Sequence, residues 1–528
     1  MPKTTEHATL TPEPLVRLVH YFQQPYDLAV ATARTCYSST VISPEDVGRD
    51  EKSREQRDRI AESIYKAGHH TTIQHPTFQF VLERVSRQCL WSFLHAHPFY
   101  NSEQVSQRYV EVKPGHVTVP PLEESARAVY LKTVDAQMAS YHRLIELIRP
   151  TVEREYRRLF PARDPGERRW AGAVKKRAQE VARYVLPVAT HAHLYHTISG
   201  LTLHRYWRMC QQGDVPREQR LVVERMVEEV AKVDPKFMAL SDEPIPVEQT
   251  PEFQAFEQFH GSRRRGSRDA AFLEAFDREL GERTSKLVDY KVRAVATMAE
   301  AVRSVLGLTP ERLSDDEAIA LVLDPARNRY LADALTLTTM SKLSRTMAHP
   351  HFTFKKKLSH TADSQDQRHR MVPGSRPILA CHVVPGRPDY ILPPLVGAAP
   401  EAEEEYRRIM AATWQAIERL LNLGVPEEDA CYLLPNAFPI RFEESGDLLH
   451  FHHKWVQRLC YTAQEEIWRA SRDEVLQVAE RFPQFGRFLQ APCWPRSRVG
   501  AKPFCPEGDR FCGVAVWKLP VEGYQRLI

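Results

Sequence analysis

Glu180-Val181-Ala182-Arg183-Tyr184-Val185-Leu186-Pro187 returns later in the chain as Glu428-Asp429-Ala430-Cys431-Tyr432-Leu433-Leu434-Pro435. Glu, Ala, Tyr, Leu and Pro keep their places in both copies, and each copy is followed by Ser-Gly-x-x-Leu-His, at 199–204 and 445–450. A second frame, His75-Pro76-Thr77-Phe78-Gln79-Phe80, precedes the first copy, and His349-Pro350-His351-Phe352-Thr353-Phe354 precedes the second. Two signatures repeated in the same order indicate an internal duplication.

The chain has 528 residues, enough for about two to four domains. With 42% hydrophobic and 27% charged residues its composition is globular. A net charge of +4 gives no overall basic footprint for nucleic acid, so any basic site is local. No apolar run spans a membrane and no signal-peptide pattern opens the sequence, so a cytoplasmic location is expected. Nine scattered cysteines, without a C-x-x-C pair, argue against a disulfide framework.

The fold expected is α+β, with two homologous halves, each an antiparallel sheet packed with long helices. The halves would span 1–240 and 286–528, joined by a polar linker over 241–285, with an irregular tail after Pro492. Strands are expected over Leu15–Tyr21 and Thr77–Val85, and helices over Gln56–Ala67, ended by Gly68, and over Arg168–Tyr184. Long surface helices are expected over Leu122–Phe160, and further helices near Asn328–Met347, Pro400–Leu423 and Leu448–Glu480.

Charge is divided unequally between the copies. Fourteen residues beyond Phe354 stands Arg368, opening Arg368-His369-Arg370; the same count from Phe80 gives Leu94-His95-Ala96, so a histidine recurs without its arginines. The first half instead holds Glu103, Ser106, Gln107 and Arg108, and keeps Arg183 where the second has Cys431. Arg458 has no counterpart near Gln212 and Gly213. Planar guanidiniums suit phosphate or carboxylate, and a histidine between them is disfavoured as a cation. Lys355-Lys356-Lys357 and Arg263-Arg264-Arg265 are expected to be solvated faces or linker. His450, His452 and His453, with Cys460, lack zinc spacing, and Cys493, Cys505 and Cys512 lack an evident fourth ligand, so no metal site is expected.

Gln365-x-x-Arg368-His369-Arg370, Glu103-x-x-Ser106-x-Arg108-Tyr109 and Gly68-His69-His70-Thr71-Thr72-Ile73-Gln74-His75 together resemble the motifs of flavin-dependent thymidylate synthases. Arg183 ahead of Leu186-Pro187 and Arg458 ahead of Ala463-Gln464 are similar to that family's C-terminal motifs, and each half resembles one whole subunit. The resemblance implies transfer of a methylene group from methylenetetrahydrofolate to dUMP, reduced through FAD with NADPH as hydride source. It implies a nucleotide site of Glu103, Ser106, Gln107, Arg108, Arg183, Gln365 and Arg368, with Arg458 polarising the uracil. It implies flavin contacts from His69, Thr71, Gln74, Arg368, His369, Arg370, Asp447 and His453. Since the family is homotetrameric, two chains would form a homodimer equivalent to a tetramer. The sequence departs from the pattern at Pro373, Gln107, Asp447, Leu449 and His453, and has two extra residues between Asn101 and Arg108. A non-catalytic nucleotide- or flavin-binding paralogue is the alternative expectation.

Overall fold

The computed structural model describes residues 10–95, 99–164, 166–261 and 270–528. The Arg263-Arg264-Arg265 run therefore lies outside the described residues, as does Ala96.

Two four-stranded antiparallel sheets form, one per half. In the first, β1 (Leu15–Tyr21), β2 (Thr77–Ser86), β3 (Tyr100–Gln104) and β4 (His191–Ser199) lie in the order β1-β2-β4-β3. In the second, β5 (Ser285–Tyr290), β6 (His351–Ser359), β7 (Gly374–Ser375) and β8 (Pro439–Asp447) lie in the order β5-β6-β8-β7. The alternation of a half-buried strand explains β2: Phe78, Phe80 and Leu82 point into the core, alternating with the half-exposed Thr77, Gln79 and Val81. The α+β class and the two-half architecture are as expected.

Strand pairing also fixes which residues correspond. Phe78 faces Ile198 and Phe352 faces Gly446, while Ser86 faces His191 and Ser359 faces Pro439. Between Phe78 and Ser86 the first copy carries an extra residue, because Arg84 adopts a left-handed conformation (φ 58°) at a bulge that β6 lacks. Beyond that bulge the simple count slips by one, and the registers of β3 and β7 show a further slip before Ser102, so His95 does not match His369. The recurring histidine is thus a coincidence of counting. The Ser-Gly-x-x-Leu-His match is likewise two residues out of step: Ser199 caps the helix Gly200–Arg208, whereas the residue capping Leu448–Arg458 is Asp447. Arg458 corresponds to Cys210, not to Gln212 or Gly213.

The expected surface helix over Leu122–Phe160 is a single helix, Glu124–Leu159, and it is a core element. Tyr130, Tyr141, Leu144, Ile148 and Val152 are fully buried, and Gln137 Nε2 donates to Leu433 O of the other half at 2.9 Å. Leu448–Glu480 is broken into Leu448–Arg458 and Glu465–Arg481, since both pieces bury one apolar face in the same core and periodicity alone cannot reveal the interruption. The expected helix near Asn328–Met347 is a series of 3-10 turns, interrupted by Thr336 in a left-handed conformation (φ 55°). Lys355-Lys356-Lys357 is not a solvated face. Lys356 falls on the inward side of β6 and is fully buried against Asp366, Glu444 and Glu474 at 3.1, 3.0 and 2.9 Å, while Lys355 pairs with Glu279 and Lys357 with Asp277.

The halves meet around the repeated signature. Val188 N donates to Leu434 O at 2.8 Å and Ala189 N to Tyr432 O at 3.0 Å; reciprocally, Asn436 N donates to Leu186 O at 2.8 Å and Ala437 N to Tyr184 O at 2.9 Å. Pro187 bridges Pro435 between them. Each bond has its mirror in the other half, as at the two-fold interface of a homodimer.

Candidate functional site

The loop after β3 carries the first half's polar set. Ser106 Oγ accepts from Arg108 N at 3.3 Å, and the buried Gln107 accepts from Asn436 Nδ2 at 3.1 Å through Oε1. Arg108 crosses to the second half: Nη2 donates to Thr462 O at 2.7 Å, while Nε stands 3.1 Å from Glu180 Oε1. Arg183 begins the 3-10 turn that closes the helix Arg168–Ala182, so its guanidinium folds back to donate from Nε to Glu180 O at 3.1 Å. Its Nη2 donates to Gln464 Oε1 at 3.0 Å, again across the boundary between halves.

The second half supplies the facing residues. Ser359 caps the short helix His360–Asp366, which ends in the turn bearing Arg368-His369-Arg370. Arg368 pairs with Glu103 at 2.7 Å, and Arg370 lies over the ring of Tyr100 at 4.8 Å. Arg458, the last residue of its helix, donates from Nε to His369 Nε2 at 2.8 Å and from Nη2 to Gln365 O at 2.9 Å. Gln365 bonds the side chain of Gln464, whose Nε2 donates to Tyr184 OH at 2.6 Å. Residues far apart in sequence thus form one hydrogen-bonded array within a single chain.

Positive charge is in surplus here. Burial alone would raise Glu180, but Arg108, Arg177 and Arg183 hold its carboxyl below its ordinary range. Burial pushes Arg87 down to about 9, with Arg183 beside it, and pushes Arg526 down to about 10, with Arg177 beside it. Enclosure likewise brings Arg458 down to about 10, and enclosure with the neighbouring Arg458 keeps His369 well below the usual histidine range. His369 is therefore neutral, with Nε2 accepting from Arg458. Several guanidiniums sharing one internal carboxylate make a place where an added anion is favoured.

Of the remaining candidates, His69, Thr71, Gln74 and Asp447 stand apart from the array. His69, Thr71 and Gln74 are exposed on the turn leading into β2. That turn precedes Thr77, which lines a surface cavity of about 410 Å³ together with Tyr100, Ser199 and Arg370. Asp447 is engaged as a helix cap, accepting from His450 N at 3.0 Å and lying 2.8 Å from His450 Nδ1. His453 lies edge-on to His369 with ring centroids 6.0 Å apart.

A cavity of about 460 Å³ opens beside the array, lined by Arg108, His453, Arg458, Thr462 and residues of the tail. Its counterpart across the pseudo-two-fold is a cavity of about 640 Å³, where Ile378, Leu379 and Ala380 replace Ser106, Gln107 and Arg108, and Cys431 replaces Arg183. Its wall includes Asp214 and Glu428, with Phe253 and Phe256 from the segment joining the halves. Arg108 lines the first cavity where Ala380 lines the second, whose one lining arginine among the described residues is Arg376. Among the described residues, no group of three or more His, Cys, Asp or Glu side chains is placed to hold a metal ion.

The sequence reading overlooked Arg87, Gln464 and Tyr184 as site residues. Arg87 donates to Gln104 Oε1 at 3.0 Å and Val105 O at 2.6 Å, fixing the loop that carries Ser106 to Arg108. Its counterpart is His360, a difference hidden by the bulge. Gln464 stood in the quoted Ala463-Gln464 pair, but nothing in the pair reveals that it joins Arg183 to Gln365.

The family model described as thymidylate synthase complementing protein matches the chain twice, over residues 17–236 and 286–484. A flavin-dependent thymidylate synthase of Clostridium tetani is 28% identical over 229 residues, covering 43% of this chain and 86% of that protein. One from Nitratidesulfovibrio vulgaris is 27% identical over 234 residues, covering the same shares. A solved structure of the UMP/dUMP methylase PolB from Streptomyces cacaoi, bound with 5-Br dUMP, matches at 17% identity and a TM-score of 0.29, covering 43% of this chain and 94% of that one.

Proposed function

Because the chain belongs to the thymidylate synthase complementing protein family, whose curated relatives are flavin-dependent thymidylate synthases, we propose that it catalyses the reductive methylation of dUMP to dTMP, using methylenetetrahydrofolate and a reduced flavin. The observation that carries this reading is the meeting of the two complementary motif sets in one array, from Arg183 through Gln464 to Gln365 and Arg458. Arg108 and Arg183 would receive the nucleotide phosphate, for which the surplus of guanidiniums is suited. Glu103, Ser106, Gln107, Gln365 and Arg368 would complete the nucleotide site. Arg458 would stabilise charge developing on the uracil, held in position by neutral His369 and by Gln365 O.

The polar edges of Arg368, His369, Arg370 and His453 fit a flavin, FAD in the family, which would supply the hydride taken from NADPH. Asp447 fits that role less well, since its Oδ1 is engaged by His450 in the helix cap. His69, Thr71 and Gln74 would serve where a second copy of the chain joins, in a homodimer equivalent to four subunits.

The engagement of Asp447, with the separation of His69, Thr71 and Gln74 from the array, favours a second reading, a paralogue that binds without turnover. Tritium release from C5-labelled dUMP, with methylenetetrahydrofolate, FAD and NADPH, separates them. Release supports the synthase; nucleotide binding without release supports the paralogue.

A further inference from the structure

The chain beyond residue 484 lies outside the family match, yet it folds back onto the site. Arg526 Nη1 donates to Ala463 O at 2.8 Å, Gln525 N to Tyr461 OH at 2.9 Å, and the buried Tyr524 to Gln490 Oε1 at 2.9 Å. The tail is thereby tied to the 459–464 interruption, and its three cysteines, 493, 505 and 512, line the same cavity as Cys460, two residues beyond Arg458.

We propose that Cys460, Cys493, Cys505 and Cys512 bind an iron–sulfur cluster through four thiolates in the wall of the composite cavity. All four are thiols outside any disulfide, and all four line the same cavity of about 460 Å³. Each of the six pairs among them interacts electrostatically, so the set is compact. Yet no three of them converge on a single ion. Thiols disposed around a volume rather than a point suit a multi-iron cluster, the usual ligand set of which is four cysteines. The wide spacing along the chain also lacks the short C-x₂₋₄-C steps of structural zinc sites.

The surroundings agree. Arg108 interacts with Cys460, Arg496 with Cys505 and Arg526 with Cys512, offsetting the negative charge of a thiolate-ligated cluster. Trp517 lies against Phe504 and Phe511, at 5.7 and 6.1 Å between centroids, on the tail that carries three of the four cysteines.

The test is the iron and acid-labile sulfide content of the full chain, purified without oxygen and then incubated with ferrous iron, sulfide and a thiol reductant. The proposal expects equal amounts of both, and a paramagnetic resonance signal on one-electron reduction or oxidation. Cys505→Ser and Cys512→Ser should each bring iron to background with circular dichroism and dUMP binding retained, while Cys36→Ser, at an exposed remote thiol, should keep it. Stoichiometric zinc without sulfide, a protein without iron after this treatment, or undiminished iron in both tail variants would each overturn it. Should the variants fail to fold, the wild-type metal and sulfide contents still decide. None of these readouts needs turnover, so the cluster and the proposed activity can fail independently.

Discussion

Tyr184 of the first half donates its hydroxyl to Glu466 Oε2 of the second at 2.5 Å. The mirror bond runs from Tyr432 to Glu218 Oε2, also at 2.5 Å, and each carboxylate also receives a serine hydroxyl, Ser359 or Ser86, at 2.6 Å. Only Tyr184, however, also accepts from Gln464 and so joins the site. The two tyrosines are structural twins that differ in this one hydrogen bond.

Tyr184→Phe and Tyr432→Phe should therefore destabilise the protein to a similar extent, about 1–3 kcal/mol each, since each leaves a buried carboxylate short of a donor. Only Tyr184→Phe should also slow dTMP formation. Urea unfolding and tritium release check the two effects separately; equal activity in both variants would remove Gln464 from the site.

Arg458→Ala should lower turnover by about 10²–10³-fold, with the fold and dUMP binding largely kept, because its interaction belongs to charge that develops during reaction. Arg458→Lys should recover little, since an ammonium cannot donate to His369 Nε2 and Gln365 O in the same fork. Steady-state kinetics of both variants, with far-ultraviolet circular dichroism as the control for folding, check this.

Arg183→Cys copies into the proposed nucleotide site the residue found at the equivalent position of the other half, Cys431. It should weaken dUMP binding at least about tenfold, as loss of a charge-assisted contact to phosphate. Calorimetry should find one dUMP per wild-type chain, since the second cavity lacks Arg108 and Arg183 equivalents. Two equal sites would contradict the assignment.

His204 is buried, with neither ring nitrogen hydrogen-bonded, and burial, with His70 nearby, pushes it down to about 4. Its folded value lies below its unfolded one near 6.5, so its neutral form contributes fully above about pH 6.5 and that contribution is lost as pH falls toward 4. Relative to wild type, His204→Met should gain about 1.4 kcal/mol per pH unit across that window. Urea unfolding at pH 7 and pH 5 measures it; a difference independent of pH would mean His204 is charged or solvated in the fold.

The halves, the strands at Leu15–Tyr21 and Thr77–Ser86, and the two arginine sets were legible because alternation and repeated motifs are local patterns. The bulge at Arg84 was not, since a single left-handed residue leaves no mark in hydrophobic periodicity, yet it shifts every correspondence after it. The buried Lys356 was hidden for a related reason: a lysine on an inward strand position reads as surface until its partners Asp366, Glu444 and Glu474, from other elements, are brought to it. The break at 459–464 escaped because burial continues across it.

The central claim is that one chain completes its own site, with Arg183 from the first half and Arg458 from the second. Chains carrying Arg183→Ala and chains carrying Arg458→Ala, co-expressed with different tags and purified as the mixed assembly, test it most directly. If each site is built within a chain, the mixture forms no dTMP, because no chain holds both arginines. Recovery of activity in the mixed assembly, absent from either variant alone, would show that the site is shared between chains and would contradict the account.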